Sequence, residues 1–171
     1  MNLETFQSLV FPVKNKLYRF AFRLLGNNEE AKDVVQDVFI KVWNGREELG
    51  EVRNIEAWCM RITKNLSLDR LRQQKRRPTD SIEKGFHIAN ETFSPAEAAE
   101  ISESMKRISE LMAELPEKQR QVMHLRDIEG YSYQEICEVL EIDMSQVKVS
   151  LFRARNTVRE QLQKINAYGL E

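Results

Sequence analysis

At 171 residues the chain has room for one domain or two small ones, and 42% hydrophobic with 31% charged residues is the balance of a soluble globular protein. No stretch is apolar enough to span a membrane, and the first residues, with Glu4, Pro12 and no small-residue cleavage site, do not read as a secretory signal, so a cytoplasmic location is expected. The net charge of −1 hides a segregation: residues 53–78 carry eight basic and two acidic side chains and 144–171 five and two, but 79–117 carry three and nine and 118–143 three and six. Phosphate affinity follows local positive charge, so two small basic patches in an otherwise acidic chain imply weak autonomous DNA binding and a larger partner to present it.

Residues 3–25 read as one helix or a kinked pair, with Phe6, Leu9, Val10, Val13, Leu17, Phe20, Ala21, Leu24 and Leu25 on the apolar face and Pro12 as the bend. Gly26 closes this segment as a helix C-terminal glycine, and Asn27 with Glu30 opens the next helix as a capping box. That helix runs to about Trp43. Ala31, Val34, Val35, Val38, Phe39, Val42 and Trp43 fall on one packed face, and Lys32, Asp33, Gln36, Asp37 and Lys41 occupy the other. After Asn44-Gly45 comes a polar loop, and Asn54 caps a third helix, IEAWCMRITKNLSLDRLRQQKRR, which Pro78 ends. Ile55, Trp58, Cys59, Ile62 and Leu66 form its buried stripe, and Arg61, Asn65, Leu68 and Arg72 line an adjoining face. The concentrated positive charge favours nucleic-acid contact over a merely solvated helix.

Two prolines, a glycine and scattered polar residues over 78–95 mark a linker. Beyond it an acidic helix is expected near Ala96–Glu114 and another around Lys118–Asp127, then a break at Glu129-Gly130 and the segment YSYQEICEVLEIDMSQVKVSLFRAR. Ser132 with Glu135 and Asp143 with Gln146 are capping boxes eleven residues apart, leaving room for one short helix and a tight turn: a helix-turn-helix. In its second helix Val147, Leu151, Ala154, Val158 and Leu162 form the inward stripe, while Val149 and Phe152 point away with Arg153 and Asn156. Such a mixture suits a major groove, where Arg bonds guanine O6 and N7 and Val or Phe meets thymine methyls. Cys59 and Cys137 sit in apolar helical patterns and are expected as buried, reduced thiols. His87 and His124 have no second ligand at metal spacing, so neither a metal nor a cofactor is expected.

The order of these parts resembles the extracytoplasmic-function sigma factors of bacterial RNA polymerase over nearly the whole chain. EEAKDVVQDVFIKVW resembles their core-binding helix and NIEAWCMRITKNLSLDRLRQQKRR their promoter −10 helix; LPEKQRQVMHLRDIEGYSYQEICEVLEI and VKVSLFRAR resemble their −35 module. The resemblance implies that Asp33, Gln36 and Asp37 dock on the β′ coiled coil of core polymerase. It implies that the loop between Asn44 and Asn54 captures a flipped base of the −10 non-template strand, with Arg61, Asn65 and Arg72 holding the opened strand. Lys148, Val149, Phe152 and Arg153 match the positions that read the −35 element. Gln146 stands where the family often has Thr, and Val149-Ser150 where it often has Ser-Arg, so a less guanine-dependent −35 element is expected. The acidic linker resembles the family's connector, which threads through polymerase toward the RNA exit path.

The expected fold is all-α: two small helical modules joined by an acidic linker, the second containing the helix-turn-helix. Residues 1–78 are expected to be sigma region 2, 79–100 the linker and 101–171 sigma region 4. The expected partners are core RNA polymerase, through its β′ coiled coil and its β subunit, and promoter DNA; an anti-sigma factor is implied by the family alone. No paired carboxylates, nucleophile with base or metal constellation supports an enzyme, so no catalytic residue is expected. The rival reading is a stand-alone dimeric helix-turn-helix regulator, which would bind palindromic duplex tightly without polymerase.

Overall fold

The computed structural model describes the backbone of residues 1–76 and 95–167, and the same side chains except those of 95–102. His87 and most of the expected linker lie outside the described residues. Every regular element among the described residues is helical, and none is long and apolar enough to cross a membrane.

The first module follows its local signals. Asn2 accepts the Thr5 N–H at 2.8 Å and starts α1 (Leu3–Val10); Pro12, which has no N–H to give a helix, sits in a 3₁₀ turn before α2 (Lys14–Leu25). Gly26 ends α2 in the left-handed region at φ 67°, and its N–H reaches the Phe22 carbonyl at 2.8 Å. Asn27 accepts from the Glu30 N–H at 3.0 Å to open α3 (Asn28–Asn44), and Asn54 accepts from the Ala57 N–H at 3.0 Å to open α4 (Ile55–Arg76).

These helices bury Leu17, Phe20 and Leu24 of α2, Val34, Val38 and Val42 of α3, and Cys59 and Ile62 of α4 in one core, where each large side chain contributes about 1.5–3 kcal/mol. Phe6 meets Trp43 edge to face at 5.1 Å. Leu9 is a correction: Phe6 and Val10 are the inward residues of the short α1, and Leu9, a hundred degrees off Val10, is exposed. The loop after α3 is not wholly polar in its packing, because a 3₁₀ turn over Glu48–Glu51 tucks Leu49 into the core.

In the second module α5 (Pro95–Ala113) begins where sequence places a helix, so the last part of the span 79–100 is helical backbone. Then come α6 (Glu117–Met123), a π turn over His124–Ile128, α7 (Tyr133–Leu140) and α8 (Met144–Ala167). The helix expected to Asp127 widens into the π turn, with the Glu129 N–H bonding the His124 carbonyl at 3.1 Å. Met112, Val122, Leu125, Ile136, Val139, Val147, Leu151, Ala154 and Val158 form the core. Cys59 is buried, and burial pushes its thiol up to about 12; Cys137 is only half-buried, flanking the Ile136–Val139–Leu140 face of α7.

Candidate nucleic-acid interface

Both capping boxes of the helix-turn-helix form. Ser132 Oγ accepts from the Glu135 N–H and Glu135 Oε1 accepts from the Ser132 N–H, each at 3.1 Å; Asp143 Oδ1 accepts from the Gln146 N–H at 2.8 Å and Gln146 Oε1 from the Asp143 N–H at 3.3 Å. Gln146 is thereby committed to the start of α8. Between the helices Glu141 adopts φ 56°, a left-handed conformation that a non-glycine residue holds at a cost of roughly 1 kcal/mol.

With α8 anchored by its inward stripe, Val149 is 46% and Phe152 66% exposed. Lys148 and Arg153 are exposed beside them, and Asn156 is half-buried. Lys148 and Arg153 have no ion-pair partner among the described residues, so both ends of this apolar pair carry a free cation. Arg155 differs: it donates from Nε at 3.0 Å and Nη2 at 2.5 Å to the two carboxylate oxygens of Asp127, which fixes α8 to the π turn. Sequence reading missed this role, because Asp127 and Arg155 are 28 positions apart and no helical period joins them.

On the first module Arg61 is half-buried, whereas Asn65 and Arg72 are exposed, Arg72 holding Asp69 at 3.0 Å. Trp58 is half-buried against the core, as its stripe requires. The three polar residues of α3 are all exposed, and Arg70 of α4 reaches Asp37 at 3.1 Å and Asp33 at 3.9 Å, with Gln36 beside them. The unexpected residues are Met60, Lys64 and Ser67, which are buried on a second side of α4, beyond the apolar stripe and the adjoining polar face that the sequence assigns. They face α7. No group of His, Cys, Asp or Glu among the described residues is arranged to hold a metal ion.

The chain thus carries a mixed apolar and basic face on α8 and an exposed face with Asp33, Gln36 and Asp37 on α3. Residues 9–77 match sigma-70 region 2, and residues 105–158 match sigma-70 region 4. The ECF RNA polymerase sigma factor SigW of Bacillus subtilis strain 168 is 30% identical over 170 residues, covering 95% of this chain and 91% of its own. The chain belongs to the extracytoplasmic-function sigma factors of RNA polymerase.

The sigma-H factor of Pseudomonas aeruginosa PAO1 is likewise 30% identical, over 95% of this chain and 88% of its own. Among solved structures, the sigma factor RpoE bound to the anti-sigma factor NepR from Bartonella quintana superposes with a TM-score of 0.76 at 25% identity, covering 94% of this chain and 98% of that one. CnrH in complex with the cytosolic domain of CnrY gives 0.68 at 25% identity, over 95% and 90%. As a sigma factor of this type the protein binds core RNA polymerase and directs it to promoters. Matches to both sigma regions decide against the stand-alone regulator.

Proposed function

We propose that this sigma factor divides its work as its two modules divide its surface. Residues 1–78 dock on core polymerase through Asp33, Gln36 and Asp37 of α3 and act on the −10 element through the loop before α4 and Arg61, Asn65 and Arg72. Residues 79–100 connect, and residues 101–171 read the −35 element with Lys148, Val149, Phe152 and Arg153. Unstacking a base costs a few kcal/mol, so a loop that receives it beside a cationic helix lowers the cost of starting strand opening. The reaction itself belongs to polymerase: the chain has no enzymatic activity of its own and works in the cytoplasm with its core enzyme. An anti-sigma factor is a further partner, since two structural relatives are held by NepR and CnrY.

The observation that carries this reading is the exposure of Val149 and Phe152 between two cations that have no ion-pair partner among the described residues, on the second helix of a doubly capped helix-turn-helix. Solvent has no use for that face, and a major groove does. In vitro transcription with core polymerase on a pool of promoter fragments is the test. Polymerase should initiate at a defined subset of fragments only when the protein is added, and absence of added-protein-dependent initiation would refute the reading.

A further inference from the structure

The outer face of α8 stands at a fixed angle to the rest of its module. The Asp143–Gln146 capping box holds its first turn, and Arg155 clasps both carboxylate oxygens of Asp127 at 3.0 and 2.5 Å. On that face Val149 and Phe152 lie one helical turn apart, about 4.5 Å along the axis at a rise of about 1.5 Å per residue. Stacked base pairs repeat at about 3.4 Å, so the two side chains meet neighbouring pairs when the first half of α8 lies in a major groove.

The hydrogen-bonding groups around this apolar pair are selective. Lys148 and Arg153 are exposed, pair with no carboxylate among the described residues and can only donate. The two carboxamides on this side, a side-chain type that bonds adenine in two places, are engaged elsewhere. Gln146 Oε1 accepts from the Asp143 N–H at 3.3 Å, and Asn156 Oδ1 accepts from Arg159 Nη1 at 3.4 Å. Ser150, beside Val149 in the chain, is only 7% exposed and offers no hydroxyl to a base. Guanine presents O6 and N7 to the cations, and thymine presents O4 beside its C5 methyl. Cytosine offers an amino donor and no methyl, so it matches neither the cations nor the apolar pair.

We propose that Val149 and Phe152 are specificity-determining residues whose ligand is the C5 methyl group of thymine: the −35 element of this factor carries thymines on neighbouring base pairs, beside a guanine held by Arg153. This rests on the assignment of the α8 face to the −35 element. The group that is read is the methyl and not the rest of the ring, so 5-methylcytosine presents the same contact and uracil lacks it. A methyl that leaves water against Val149 or Phe152 contributes about fourfold in affinity, equivalent to about 0.8 kcal/mol.

Holoenzyme assembled from the full chain and core polymerase, offered promoters randomised across the −35 region, should select elements with thymine on neighbouring pairs. Each of those thymines is then replaced by deoxyuridine in a synthetic promoter. Initiation at limiting holoenzyme should fall about fourfold for each contacted methyl removed, and 5-methyldeoxycytidine at the same position should exceed deoxycytidine by a similar factor. In Val149→Ala the uracil penalty at one pair should disappear, and in Phe152→Ala the penalty at its neighbour; both side chains are exposed, so neither change empties the core. Selected elements without thymine would overturn the proposal, as would equal use of uracil and thymine promoters or a uracil penalty that both variants retain. Loss of polymerase capture by both variants would also overturn it, since the apolar pair would then be a protein contact. Initiation indifferent to the whole −35 sequence would remove the assignment of the face itself, whereas dependence on that sequence without dependence on the methyl defeats only the methyl reading.

Discussion

Arg19 of α2 donates from Nε and Nη2 to the two carboxylate oxygens of Glu129, at 2.8 and 2.9 Å, across 110 positions of chain. Glu129 is almost completely enclosed, its side chain 1% exposed, and its Oε1 also stands 3.3 Å from His124 Nε2. Burial alone would raise this carboxylate's pKa; hydrogen bonding by Arg19 and then His124 outweighs it and holds the pKa down at about 2. His124 is pushed down to about 4, chiefly by burial and also by Arg23 and Arg19, against the pull of Glu129. Since Nδ1 accepts from Arg23, the ring is neutral with its proton on Nε2, facing Glu129.

Acid should therefore weaken the fold and the module contact together. Both folded pKa values lie below the ordinary ones of 6.5 and 4.5, so the unfolded chain takes up protons first, and stability present above those values is lost as pH falls. The His124 contribution fades from 6.5 toward 4 and that of Glu129 from 4.5 toward 2. Urea midpoints measured from neutral pH down to about 4 should fall, and His124→Gln should flatten the slope between 6.5 and 4. A slope unchanged by that substitution would show that His124 does not titrate in this way.

Reversing charge on the face of α3 proposed to dock on polymerase should separate binding from folding. Asp37→Lys faces Arg70, but an exposed pair contributes only about 0–1 kcal/mol, so the melting temperature should hardly move. Capture of core polymerase should drop about tenfold, equivalent to about 1.4 kcal/mol. An unchanged pull-down would remove α3 as the docking helix.

Arg153→Ala should weaken use of the −35 element by roughly 1–3 kcal/mol in promoter competition while leaving polymerase binding intact. Arg153 is exposed and pairs with no carboxylate among the described residues, so the loss reports DNA contact rather than a broken ion pair. Equal losses of polymerase binding and promoter use would count against it.

The turn of the helix-turn-helix offers a stabilising change. Glu141→Gly relieves the left-handed strain at φ 56° and should raise stability by roughly 0.5–1 kcal/mol, less the small contribution of the Lys64 pair. Urea unfolding measures it; a lower midpoint would mean that Glu141 holds Lys64 more firmly than an ordinary partly exposed pair.

Neighbours along the chain settle the helix starts at Asn27, Asn54, Ser132 and Asp143 and the stop at Gly26. Asn27, Asn54, Ser132 and Asp143 cap helices because each side chain meets an N–H three residues on, and Gly26 ends one because it accepts the left-handed region. Helical period also places Val149 and Phe152 outside and Val147, Leu151 and Ala154 inside, so the face proposed for −35 reading is legible in the order of residues along α8. Tertiary structure alone decided which polar groups leave water. Lys64 belongs to a basic helix whose composition points to nucleic-acid contact, and His124 shows no second ligand at metal spacing, yet both are buried where the modules meet. Their partners in the other module lie 76 and 101 positions away, brought close by the packing of α4 on α7 and of α2 on the π turn, and local pattern carries no record of a contact that only the folded chain creates.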